Sequence, residues 1–169
     1  MTNRDIQICS HVEAIELLKQ DTDFHVISIR DRSAIGVEFE IDPLLKDVSS
    51  ITYYFDDIHE TTDGKELPAK KKVEEILDWS TDKQRIIVHC NAGMGRSPAI
   101  AYLILCQDMP AAEAIAILEP ERHIPNHVVL KLGTELLGDD EIWTEFETFM
   151  TNDHYAKIID KVRSYSNHR

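Results

Sequence analysis

Apolar residues recur along this chain in two rhythms. Ile6-Gln7-Ile8-Cys9 reads as a short strand. Ser10 then caps a helix over 11–19, with Glu13 at capping-box spacing, and Val12, Ile15 and Leu18 on one face that covers a sheet. His25-Val26-Ile27-Ser28-Ile29 predicts a second strand, broken by the charged turn Arg30-Asp31-Arg32-Ser33. Between Gly36 and Pro43 the pattern is two-sided: Val37, Phe39 and Ile41 alternate as in a strand, and a loop fits equally well. Residues 42–47 suit one helical turn. A third strand runs over 51–55, and a polar, acidic surface loop follows over 56–64. Pro68 opens a helix reaching Trp79, with Val73, Ile76 and Leu77 facing inward. Residues 85–89 form the most apolar strand, a run typical of the centre of a parallel sheet.

Strands alternating with helices predict an α/β fold. The expected architecture is a central, mostly parallel sheet of four to five strands flanked by helices, with a helical C-terminal half. Those helices are expected over 97–106, 111–118, 126–137, 142–149 and 153–164, punctuated by Pro110, Pro120, Gly138 and Asn152. No internal repeat or linker is visible. Residues 1–150 are read as a single domain and 151–169 as a helical extension, packed on it by the stripe Tyr155, Ile158, Val162 and Tyr165.

Composition narrows the function classes. A chain of 169 residues that is 43% hydrophobic supports one domain with a real core. No apolar run approaches the roughly 20 residues of a bilayer span. Met1-Thr2-Asn3-Arg4-Asp5 is polar and carries no signal-peptide core, so a cytoplasmic location is expected. A formal charge of −13 argues against nucleic acid or a membrane as a broad-area partner, while permitting a local anion pocket. The three cysteines, Cys9, Cys90 and Cys106, form no C-x-x-C pair, which counts against a disulfide framework and a zinc site.

Chemistry enters at Val88-His89-Cys90-Asn91-Ala92-Gly93-Met94-Gly95-Arg96-Ser97. A helix starting just after a tight turn aims its first N–H groups at whatever occupies the turn. Gly93 and Gly95 permit positive φ and close approach of the backbone to a ligand. The N–H groups of Asn91, Ala92, Gly93, Met94, Gly95 and Arg96 then form a nest for an oxyanion, and the Arg96 fork holds two oxygens bidentately. The same field favours a thiolate at Cys90, placed for in-line attack on a bound phosphoryl group. Ser97 is placed to donate to Cys90 and to cap the helix. His89 suits a brace for the loop backbone better than a base. The positive field of the loop removes any need for a metal or organic cofactor.

His89, Cys90, Gly93, Arg96 and Ser97 resemble the signature of the cysteine-dependent protein tyrosine and dual-specificity phosphatases: His-Cys, two residues, Gly, two residues, Arg, then Ser or Thr. Arg122-His123-Ile124-Pro125-Asn126 is similar to the Arg…Pro-Asn segment of compact dual-specificity phosphatases. Ile8-Cys9-Ser10, Val26-Ile27-Ser28 and Phe55-Asp56-Asp57-Ile58 resemble a small bacterial family of predicted tyrosine phosphatases, with coverage over residues 6–140. The resemblance implies a phosphocysteine intermediate and an aspartic acid on a loop upstream of the cysteine. Asp57 is preferred for that acid because Asp57-Ile58 reproduces the bacterial pair; Asp56 and Asp63 are rivals. The Trp-Pro-Asp form of larger tyrosine phosphatases is absent. The implied partner is a phosphorylated protein or a small phosphomonoester.

Other readings stand beside this one. A catalytically inactive phosphate-binding module and a rhodanese-type sulfurtransferase are the functional alternatives. Asn126 is a pocket-wall residue or a helix cap. Arg30 and Arg32 follow a strand and are candidates to border the pocket, with surface ion pairing preferred; Lys70-Lys71-Lys72 is read as a solvated helix start and Cys106 as core. A protective Cys9–Cys90 disulfide requires their two strands to be neighbours. Oligomeric state is not encoded in any recognisable pattern.

Overall fold

The computed structural model describes residues 3–166. Four strands form one sheet: β1 (Asp5–Cys9), β2 (His25–Arg30), β3 (Ser50–Tyr54) and β4 (Arg85–His89). Their order is β1-β4-β2-β3, and every pairing is parallel. Interleaved with them are α1 (His11–Gln20), α2 (Asp42–Leu45) and α3 (Lys70–Ser80). The helical half follows: α4 (Arg96–Cys106), α5 (Ala111–Ala114), α6 (His127–Leu137), α7 (Glu141–Phe149) and α8 (Asn152–Ser166).

Strand alternation sends successive side chains to opposite faces of the sheet, and two cores result. On one face Cys9, Val26 and Ile87 pack with Ala14, Ile15 and Leu18 of α1. On the other, Ile27, Ile29, Ile86 and Val88 pack under α3, α4 and α6. The apolar β4 lies inside the sheet between β1 and β2, as its composition predicts. Helix α4 runs through the larger core and buries all its residues except Cys106, which is half-buried against it.

Four local expectations change, and one open reading closes. Val12 is 67% exposed, and Ala14 takes its place on the inner face of α1. At about 100° per residue, Ala14, Leu18 and Ile15 span one arc and Val12 falls outside it. The segment after Gly36 is a loop, anchored by buried Ile41, with Val37 exposed. The helix expected over 111–118 is α5 followed by a 3-10 turn, Ile115–Ile117. The helix predicted from Pro68 starts at Lys70. Lys72 is not simply solvated: its amine donates to Tyr54 O at 2.6 Å and pairs with Glu66.

The capping box of α1 forms as predicted: Ser10 Oγ accepts from Glu13 N, and Glu13 Oε1 accepts from Ser10 N. At the other end of the chain, α8 buries Ile158, and His154 Nε2 donates to the His123 carbonyl at 2.9 Å. Tyr155, Val162 and Tyr165 of the expected stripe lie outside the described side chains. No helix among the described residues is long and apolar enough to cross a membrane.

Candidate active site

Because all four strands are parallel, their carboxyl ends share one edge of the sheet, where α/β folds place ligands. That edge brings together Arg30 and Asp31 after β2, residues 55–58 after β3, and the loop 90–95 after β4.

The loop leaves β4 at Cys90 and enters α4 at Arg96. Four of its carbonyls point away from its centre. His89 Nδ1 donates to Cys90 O at 3.3 Å, His11 N to Asn91 O at 3.1 Å, Ile124 N to Met94 O at 2.8 Å and Asn126 N to Gly95 O at 3.0 Å. Peptide units are planar, and no cis bond occurs among the described residues, so each outward carbonyl turns the next N–H inward. The inward groups belong to Asn91, Ala92, Gly95 and Arg96. A nest of donors is thus built from outside, by α1, the 122–126 segment and the His89 ring.

Cys90 is 2% exposed, and its Sγ lies 3.2 Å from both Gly93 N and Ser97 Oγ. Gly93 has φ +69°, and a Cβ there would lie 2.6 Å from Ser10 N, so conformation and space both demand glycine. Gly95 differs from expectation: its φ is −118°, in the ordinary region. Its lack of a Cβ matters because Asp57 Oδ2 would stand 2.3 Å from one. The Asp57 carboxylate therefore rests directly on the loop at Gly95.

Asn126 holds Asp57 there. Its Nδ2 donates to Asp57 Oδ1 at 2.8 Å and to Ile58 O at 3.2 Å. Its Oδ1 accepts from Val128 N and Val129 N, capping α6. The helix-cap reading of Asn126 is met by these bonds, and its amide nitrogen ties residues 57–58 to the start of α6. Of the rival acids, Asp56 lines the same cavity as Asp57 but is buried, with Oδ2 accepting from Glu66 N at 2.7 Å and Oδ1 facing Lys65, while Asp63 is exposed in the loop beyond.

Arg96 is 3% exposed. Its Nη1 donates to Asp31 Oδ1 and to Phe55 O, each at 2.8 Å, while its Nε is buried without a partner. A buried donor left unpaired is costly unless a ligand satisfies it. Arg96 lines a cavity of about 350 Å³ together with Cys90, Asp31, Asp56, Asp57 and Gly95. Among the described residues no group of three His, Cys, Asp or Glu side chains suits a metal ion.

A second cavity, of about 260 Å³, also borders Cys90. Ile29, Ala34, Val37 and Phe39 supply apolar walls, with His11 and His89 beside them. Arg30 borders this cavity, contrary to its expected surface role: it is buried, with Nε on Ser28 Oγ and its guanidinium paired to Asp42. That pairing holds the Asp42 carboxyl below the usual carboxylate range. Burial pushes the His89 ring down to about 4, so the ring is neutral near pH 7 and its Nδ1 proton faces the Cys90 carbonyl. Burial pushes the Cys9 thiol up to about 12.

Strands β1 and β4 are neighbours, yet the pleat separates the two cysteines. Cys9 is in register with His89 and lies in the α1-side core, whereas Cys90 belongs to the opposite one. This placement removes the expected route to a Cys9–Cys90 disulfide. Asp31, His11 and Phe39 are site residues that sequence reasoning passed over. The available signal for Asp31 was its position directly after a parallel strand.

A family model described as dual specificity phosphatase, catalytic domain, matches residues 40–131. Among solved structures the chain is similar to DUSP15, with TM-score 0.57 and 17% identity over 88% of this chain and 92% of that one. PTPMT1 in complex with PI(5)P gives TM-score 0.56 and 16% identity over 83% and 93%. Tk-PTP in the active form gives 0.55 and 16% over 82% and 95%. At these identities the likeness is one of fold.

Proposed function

Because the chain belongs to the family of dual-specificity phosphatase catalytic domains, we propose that it hydrolyses phosphomonoesters through a phosphocysteine intermediate. The observation that carries this reading is that Arg96, whose Nε is buried and unpartnered, lines one cavity with Cys90 and Asp57.

A phosphoryl group enters the loop with its three terminal oxygens on the inward N–H groups and on the Arg96 Nε–Nη2 edge. These donors stabilise the charge that builds in the transition state. The Cys90 thiolate attacks phosphorus, the bond to the leaving oxygen breaks, and Asp57 gives that oxygen its proton. Water then attacks the phosphocysteine, Asp57 takes its proton, inorganic phosphate forms, and the thiolate departs with Ser97 Oγ donating to it. His89 and Asn126 hold the loop and the acid in place.

The apolar second cavity favours a substrate whose leaving group is flat and weakly polar, an aryl phosphate such as phosphotyrosine, over a sugar or inositol phosphate. A location away from membrane surfaces and a phosphorylated protein as physiological partner fit the acidic chain. Cys90→Ser should abolish turnover of an aryl phosphate while retaining vanadate binding; unchanged turnover overturns the mechanism. Asp57→Asn should slow poor leaving groups far more than activated ones. Thiosulfate as co-assayed substrate separates this activity from sulfur transfer.

A further inference from the structure

A guanidinium presents five N–H donors in a rigid plane. On Arg96, Nη1 has both hydrogens engaged, one by the Asp31 carboxylate and one by the Phe55 carbonyl. Two contacts on one nitrogen of a planar group fix its orientation, whereas the carbonyl alone leaves a pivot. The edge that remains is Nε with Nη2, the bidentate fork for two oxyanion oxygens. Nε is already buried and unpaired. The carboxylate also costs something, since a negative charge beside the guanidinium weakens its field at a dianion. Its presence at this position makes sense if orientation outweighs that loss.

We propose that Asp31 is the positioning residue for Arg96, turning the Nε–Nη2 edge toward the phosphoryl group; this rests on the phosphatase reading above. Asp31 is suited to the task by its backbone. It follows β2 directly, and its carbonyl accepts from Ala34 N at 2.9 Å, which starts the 3-10 turn Arg32–Ala34. Asp31 also lines both cavities. Phe55, the second grip on Nη1, is itself fastened to β2 by Phe55 N donating to Arg30 O at 3.0 Å. The arginine is thus held by the end of one strand and the root of the acid loop.

The test compares wild type, Asp31→Asn and Asp31→Ala by kcat and KM on an aryl phosphate, by affinity for inorganic phosphate and vanadate, and by thermal melting. Oxyanion affinity is also measured in a Cys90→Ser background, where turnover plays no part. Asp31→Ala should weaken oxyanion binding and lower kcat/KM by on the order of tenfold, with melting little changed. Asp31→Asn keeps an acceptor oxygen at the same place and should recover most of both. Oxyanion affinity unchanged in Asp31→Ala overturns the proposal. Tighter binding overturns it too, because the carboxylate then competes with the anion. Equal losses in both variants with lowered melting assign Asp31 to folding of its loop instead. A wild type that turns over no phosphomonoester removes the phosphatase reading, while the oxyanion series still decides the role of Asp31.

Discussion

Gly95 shows how one missing methyl group shapes the site. Its backbone is unstrained, so alanine meets no conformational penalty there, but the new Cβ would occupy the place of the Asp57 carboxylate. The side chain can swing away, and the fold survives the change. Gly95→Ala should therefore melt near wild type while losing turnover of poor leaving groups on the order of a hundredfold, with activated aryl phosphates affected much less. A Brønsted comparison of leaving groups checks this; a uniform loss across all of them would place the defect in the anion loop instead. Gly93 is a different case, since its positive φ and the adjacent backbone of Cys9 and Ser10 leave no room to adjust. Asn126 joins two roles in one amide: its oxygen caps α6 and its nitrogen holds the acid loop.

At the level of elements, the site depends on α4 being clamped between the sheet and α6. Gly133 of α6 lets Leu103 of α4 approach so closely that a Cβ would lie 2.2 Å from Leu103 Cδ1. Leu103 is fully buried, so its side chain must shift within the core to make room. Alanine is intrinsically the better helix former by about 1 kcal/mol, but overpacking costs about 1–3 kcal/mol. Gly133→Ala should thus destabilise the protein by about 1 kcal/mol net, measured by urea unfolding, with KM unchanged. Stabilisation would show that the two helices separate easily. Helix α1 contributes differently. Its capping-box Glu13 also pairs with Arg122, which packs over Gly93, and its first N–H holds Asn91 O. A cap that looks purely local therefore braces the anion loop.

Across the whole molecule, burial of neutral imidazoles ties stability to pH. Burial pushes both His89 and His123 down from 6.5 to about 4. Above about pH 6.5 both rings are neutral in either state and contribute no slope. Between there and about pH 4 the unfolded chain takes up protons that the folded chain refuses, so stability falls as pH falls. Each ring contributes up to about 1.4 kcal/mol per pH unit in that window. Urea unfolding from about pH 7 to pH 5 should show the loss, and His123→Gln should flatten it. An unchanged slope in the variant would mean that His123 charges within the fold. With a net charge of −13, the proposed phosphatase reading requires that selection of the phosphoryl group rest on the fixed donors of the loop rather than on long-range attraction.

What the sequence determined by itself is local. Strand and helix periodicity, the capping box of α1 and the strand–loop–helix around Cys90 all depend on neighbours a few residues apart, and all are present. The α/β class and the parallel sheet followed from element order, as did the family from the spacing of His89, Cys90, Gly93, Arg96 and Ser97. Tertiary structure decided which distant groups meet. Strand order and pleat placed Cys9 and Cys90 in opposite cores. The outward ties on the anion-loop carbonyls come from residues 11, 124 and 126, far apart in the chain. Likewise, only the fold shows that Asn126 reaches Asp57, whereas Asp56 spends one oxygen on Glu66 N. Asp31 carried no periodic or motif signal, because its partner lies 65 residues away and only the parallel arrangement of β2 and β4 brings the two together.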